Sequence, residues 1–294
     1  MAKKTSKSNG RLAVAKTYKI YIDGKFPRTE SGRYFALKDG KGNVVANVCR
    51  SSRKDFRNAV VAARKAQAAW ADTNAYLRGQ ILYRIAEMLE GRREQFVAEL
   101  RAQGVASRAA EKETDASIDR LIYFAGWADK YQQIFSSVNP VNSSHFNFSV
   151  LEPTGVVSIL APGDSGLLGL ISNVAPVIVG GNTCVVLASE SLPLAAVSFA
   201  EVVHASDVPA GVVNLLTGFR SELTGHFASH MDVNAVIYCD GDRKLAKAVQ
   251  TAAADNIKRV VPRTNLDWSK ADLQHPYLIR DTQEVKTTWH PIGA

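Results

Sequence analysis

The chain has 294 residues, of which 46% are hydrophobic and 22% charged, so it is long enough for one large domain or two ordinary ones. No apolar run reaches the roughly 20 residues that cross a bilayer, and three cysteines (Cys49, Cys184 and Cys239) are too few and too scattered for a disulfide or zinc framework. The formal net charge of +8 raises nucleic acid as a partner, but the basic residues beyond the N-terminal tail alternate with acids and form no aromatic-interleaved stripe that would stack bases.

Residues 1–16 hold Lys3, Lys4, Lys7, Arg11 and Lys16 without an apolar core, which predicts a disordered basic tail and not a secretory signal. Scarce cysteines make a reducing cytoplasm the expected compartment. Residues 18–26 read as two short strands about a turn at Asp23-Gly24, and residues 34–49 repeat that pattern about Lys41-Gly42-Asn43. Ser51 or Ser52 then offers a helix N-cap, with Asp55 in the first turn and Ala59, Ala62, Ala63, Ala66 and Trp70 at helical spacing. A second helix carries Ile81, Ile85 and Leu89 on one stripe, with Leu82 beside it. A third, over residues 115–133, carries Ile118, Leu121, Ile122 and Ala125.

Residues 136–152 lose the helical period, and residues 145–151 alternate like a strand, which predicts an exposed hairpin or arm. From Val156 onward, apolar strands at 156–160, 183–187, 212–216, 235–238 and 258–261 alternate with helices at 166–179, 192–205, 222–229 and 243–254. Such a rhythm implies an α/β fold: a Rossmann-like parallel sheet with helices on both faces and ligands at the carboxyl ends of the strands. Residues 264–274 are polar and read as a linker, and residues 282–289 as a lone terminal strand that must pair with something. Cys184 reads as a core residue. Cys239 ends a strand at the ligand edge, with no His or Lys beside it to activate a thiol. His204, His226 and His230 lack metal-binding spacing, and no metal is expected.

Several stretches together resemble the aldehyde dehydrogenase superfamily: Glu152-Pro153-Thr154-Gly155-Val156, Gly180-Gly181-Asn182-Thr183, Val208-Pro209-Ala210-Gly211-Val212-Val213-Asn214, Thr217-Gly218-Phe219, and Ile257-Lys258-Arg259-Val260. Their order carries the resemblance more than any single piece. It implies a cofactor-type domain in residues 17–135 and 153–263, with an oligomerisation hairpin in 136–152 and a terminal strand in 281–294. The family's catalytic domain would intervene between Arg263 and that strand, and here only a short linker does. A truncated member lacking the thiol-bearing domain is the expectation.

The departures from the family pattern bear on chemistry. Where the family has Pro-Trp-Asn, with an asparagine amide donating to the oxyanion, this chain has Pro162-Gly163-Asp164; a carboxylate accepts and cannot donate. The general-base glutamate falls at Arg263, which stays protonated. No cysteine follows Cys239. No residue is therefore assigned a catalytic role. For the cofactor, the family's Lys-x-x-Glu becomes Leu187-Ala188-Ser189-Glu190, Gly218 and Gly225 persist while Arg220 replaces a second glycine, and the Gly-Ser-Thr helix start becomes Gly241-Asp242-Arg243. Glu190, Gly218, Gly225 and Gly241 are the vestigial cofactor positions. A carboxylate at Asp242 opposes phosphate, so the resemblance implies no tightly bound cofactor and only weak NAD(P) binding.

The resemblance also implies assembly with a full-length aldehyde dehydrogenase subunit, or with a second copy, through the strands bearing Phe146, Phe148, Val285, Thr287 and Trp289. Neither membrane nor nucleic acid is expected as a partner. An inactive pseudo-subunit that stabilises or regulates such an enzyme is the leading expectation. An NAD(P)-binding component of a composite oxidoreductase, whose thiol comes from a partner, is the alternative; a basic nucleic-acid-binding protein is the third.

Overall fold

The computed structural model describes residues 16–293, so the expectation of a disordered tail lies, but for Lys16, outside the described residues. The chain opens with β1 (Thr17–Tyr18), β2 (Tyr34–Lys38) and β3 (Val44–Cys49), then runs through α1 (Arg53–Ala71), α2 (Ala75–Glu90), α3 (Arg93–Ala102), α4 (Ser107–Ala125) and α5 (Tyr131–Phe135). An arm follows in β4 (Ser137–Asn139) and β5 (His145–Pro153). Next come β6 (Val156–Leu160), α6 (Leu168–Val179), β7 (Thr183–Leu187), α7 (Pro193–His204), β8 (Val213–Leu216), α8 (Arg220–Ser229), β9 (Ala235–Tyr238), α9 (Arg243–Ala253) and β10 (Arg259–Pro262). A short α10 (Tyr277–Arg280) leads into β11 (Gln283–Pro291).

Strands β6 to β10 form one parallel sheet in the order β10-β9-β6-β7-β8. Every residue of β6, β7, β8 and β9 is buried, as expected of strands covered on both faces. Their side chains alternate between two cores. Val157, Ile159, Cys184 and Val186 face α6 and α7. Val156, Leu160, Val185, Leu187 and Tyr238 face Phe56, Ala59 and Ala63 of α1, Leu223 and Phe227 of α8, and Val249 of α9.

Helix α1 starts where the sequence indicates, and Ser52 is the cap. Its hydroxyl accepts from the Asp55 N–H at 3.3 Å while Asp55 Oδ2 accepts from the Ser52 N–H at 2.7 Å, a reciprocal capping box. Ser51 is buried instead, and its N–H ties α1 to the sheet by donating to Thr217 O at 2.9 Å.

Three expectations need correction. Residues 18–26 do form the turn at Asp23-Gly24, both residues at positive φ and closed by the Ile22–Lys25 bridge, but the pairing stops there, and Tyr21 is drawn onto the edge of the main sheet by two 2.8 Å bonds with Leu215. The third predicted helix begins eight residues earlier, at Ser107 instead of Asp115, and breaks at Gly126 before the one-turn α5. Its first half buries small and polar groups (Ala110, Thr114 and Ser117) against neighbouring helices, which gives no apolar stripe. The third correction concerns residues 264–274, which are no solvated linker. Trp268 is buried in the larger core, and Arg120 of α4 reaches the segment with bonds to Trp268 O at 3.1 Å and Leu273 O at 3.2 Å.

The terminal strand pairs within the chain. β11 lies antiparallel to β5 from Gln283↔Pro153 to Pro291↔His145, and β4 flanks β5 on its other side. Directly opposed residues share a face. Val285, Thr287 and Trp289 therefore lie with Leu151, Ser149 and Asn147 on one face, whereas Phe146 and Phe148 lie on the other. β11 and β4 are both edges of this three-stranded sheet.

Candidate functional site

The order of the main sheet fixes where a ligand would enter. From β6 the chain builds outward through β7 and β8, then returns to add β9 and β10 on the opposite side. A crevice at the carboxyl ends of β6 and β9 is the usual consequence. A cleft of about 620 Å³ opens there, lined among others by Gly163, Asp164, Glu190, Arg220, Asp240 and Gly241. The hydroxyls of Ser189 and Ser191 donate to Gly163 O at 2.9 and 2.8 Å and hold the loops after β6 and β7 together.

Arg220 dominates the interior of this cleft. Its guanidinium donates to Ala161 O at the end of β6 and to Asp240 Oδ2, 3.1 Å away at the end of β9, so it spans the crevice. Its side chain is only 13% exposed. The Arg220 N–H, the first of α8, donates to Glu190 Oε2 at 3.1 Å. Asp242 is the N-cap of α9, accepting from the Lys244 and Leu245 N–H groups at 2.8 and 3.3 Å. Glu113 does the same for α6 from outside, since Oε1 accepts from Leu167 N–H at 2.9 Å, Leu168 N–H at 3.2 Å and the Ser165 hydroxyl at 2.8 Å.

All three thiols are buried. Burial pushes Cys184 and Cys239 up to about 12, so neither is a thiolate near neutral pH. Cys239 lies at the cleft with Sγ 3.6 Å from Asn173 Oδ1, and the nearby arginines offset burial only in part. Arg263 is turned inward and 4% exposed, bonding to Asn173 Oδ1 at 3.0 Å, Asp281 Oδ2 at 2.9 Å and Leu278 O at 3.3 Å. It acts as a clamp for residues 278–281 against the sheet. His204 packs edge-on against Tyr21 and Phe26, and His230 against Phe56. No group of three or more candidate metal ligands forms among the described residues.

Of the four positions marked from the sequence, Glu190 and Gly241 come together in the cleft. Gly218 sits buried behind it at φ +153°, where a Cβ would stand 3.2 Å from the Ser51 nitrogen. Gly225 is exposed within α8 and faces open space. Nothing local in the sequence marks the Arg220–Asp240 bridge or the capping of α6 by Glu113, whose partners are far apart in the chain, whereas Asp242 stands at cap spacing before an apolar-periodic helix. A larger groove of about 940 Å³, lined by Trp70, Tyr76, Leu77, Tyr83 and Ile122, shares no residue with the cleft. It lies away from the carboxyl ends of the strands, so the smaller cleft is the candidate site.

Among the described residues no helix is long and apolar enough to cross a membrane. The aldehyde dehydrogenase family matches residues 28–263 and so ends where β10 does. The mouse cytosolic 10-formyltetrahydrofolate dehydrogenase is 30% identical over 259 residues, covering 85% of this chain and 28% of the mouse protein. Cytosolic aldehyde dehydrogenase 1 of Elephantulus edwardii is 31% identical over 249 residues, covering 82% of this chain and 49% of its own length. An NAD+ complex of a Bacillus cereus aldehyde dehydrogenase superposes with a TM-score of 0.80 at 26% identity, covering 85% of this chain and 51% of that one. This chain thus spans about half or less of the length of these relatives. With the matched family running over most of the sequence and the sheet order in place, this chain belongs to the aldehyde dehydrogenase family.

Proposed function

We propose that this chain is a catalytically inactive aldehyde dehydrogenase-like subunit of the cytoplasm. In this reading it assembles with a full-length aldehyde dehydrogenase, or with itself, and stabilises or regulates its partner. The observation that carries the reading is the arm. β11 is an edge strand with every residue from Val285 to Pro291 exposed, including Val285 at 58% and Trp289 at 57%. An exposed edge with apolar side chains is a template for strand addition. Support also comes from the cleft: the thiols are buried, Asp164 supplies no donor, and Arg263 is locked in its clamp.

The two faces of the arm give the partner two kinds of contact. Phe146 and Phe148 lie on one face as a tilted pair with ring centroids 5.5 Å apart, while Trp289 packs on His145 at the strand end. Native mass spectrometry after co-expression with a full-length homologue checks the reading. A mixed or homotypic oligomer is expected, and it should be lost in V285K/W289K, at two exposed side chains, with circular dichroism as the fold control. Free monomer alone, at micromolar protein, would reject it. Turnover of an aldehyde by the purified chain would reject the inactive half of the reading.

A further inference from the structure

The NAD+-bound relatives make a dinucleotide the expected ligand of this sheet edge, and the residues present here do not fit it. Helix starts attract phosphate through unbonded N–H groups and the helix dipole. At this edge those groups are already taken: Glu113 holds the start of α6, Glu190 that of α8 and Asp242 that of α9, with donor–acceptor distances between 2.8 and 3.3 Å. The space between the strand ends is crossed by the Arg220 guanidinium.

We infer that the chain closes its own nucleotide cleft, with Arg220 as the bar and Asp242 as the built-in substitute for a phosphate. The inference deepens the inactive-subunit reading and rests on it. A diphosphate entering would have to expel Arg220 from Asp240 and Ala161 and displace the Asp242 carboxylate from two N–H groups. The carboxylates of Asp164, Glu190 and Asp240 at the mouth add repulsion without offering a donor. One like-charge contact at about 4 Å and an effective dielectric of about 20 lowers affinity by roughly a thousandfold. Closure is therefore local. Arg220 and Asp242 block the space and the phosphate position directly, and the carboxylates around them add to the barrier.

Titration of the full chain with NADH, followed by its fluorescence, tests this in wild type, R220G, D242S and the double variant, with circular dichroism and melting temperature as fold controls. Wild type is expected to show no saturation at about 1 mM NADH. The double variant should bind roughly a thousandfold more tightly, which reaches the micromolar range. D242S alone keeps a good N-cap, so it folds even if R220G does not, and it should gain at least about tenfold. Wild-type binding in the micromolar range would overturn the inference. So would folded D242S and double variants that bind no better than wild type. These outcomes are independent of assembly: regained binding in a chain that stays monomeric would leave the closed cleft standing and sink the assembly reading.

Discussion

Replacing Arg120 with methionine should free residues 264–276 from the core. Arg120 is 2% exposed and has no carboxylate among its contacts; burial lowers its pKa, and its charge is spread instead over neutral acceptors. It donates to the Ser172 hydroxyl at 2.7 Å, Trp268 O at 3.1 Å and Leu273 O at 3.2 Å, with Lys270 O at the limit of 3.5 Å. Hydrogen bonds from a charged donor contribute about 1.5 kcal/mol each at the low end, so the three shorter ones sum to about 4.5 kcal/mol. Methionine fills much of the space and removes the cost of burying a cation, which offsets about 1–2 kcal/mol. The expected loss is about 3 kcal/mol in urea denaturation, with faster proteolysis at residues 264–276 before global unfolding. A loss below about 1 kcal/mol with unchanged cleavage would mean that the segment is held by Trp268 alone or is a linker after all.

Gly155 has φ +130°, and a Cβ there would stand 2.3 Å from Asn234 Oδ1, the acceptor for Val156 N–H and Arg64. G155A should cost about 3 kcal/mol or more, read as a fall in melting temperature; a cost under about 1 kcal/mol would show that the turn relaxes freely. Lys258 is buried and its pKa is pushed down to about 8 by burial, while its ammonium donates to His230 O at 2.7 Å. Between about 8 and the unfolded value of about 10.4 the unfolded chain holds a proton that the folded chain has shed, so this group's contribution makes stability rise with pH across that window. Wild type should gain up to about 3 kcal/mol relative to K258M from pH ~7.5 to pH ~10; parallel stability curves would contradict the burial. With Cys184 and Cys239 near 12, these two thiols should react with a thiol reagent about a thousandfold more slowly in the native protein than in guanidinium chloride, and a fast native Cys239 would count against its burial at the cleft.

The parallel sheet was legible because Val156–Leu160 and Thr183–Leu187 are nearly continuous apolar runs preceded by glycine turns, a local signal. Helix α3 is not legible in the sequence because its charges hide the spacing of Phe96, Val97 and Leu100, beside which Glu99 is also buried and accepts from Tyr18 and Ser198. Residues 264–274 read as a linker for a different reason. Their polarity is local, whereas their anchor, Arg120, lies about 150 residues away. The candidate site divides along the same line. Asp242 declares itself as a cap three residues before Leu245, but nothing near Arg220 in the sequence says that its side chain will find Ala161 and Asp240.

The pairing of β11 with β5 has a consequence for biogenesis. Residues 145–153 leave the ribosome well before residues 283–291, which complete their sheet. At about 5–20 residues per second that interval lasts roughly 7–28 s. During it the nascent chain holds β5 with one flank unsatisfied, in a crowd of other emerging polypeptides. A translation pause in this window should recruit a chaperone or a neighbouring nascent copy, and slow synthesis would favour mispairing over the intramolecular ribbon.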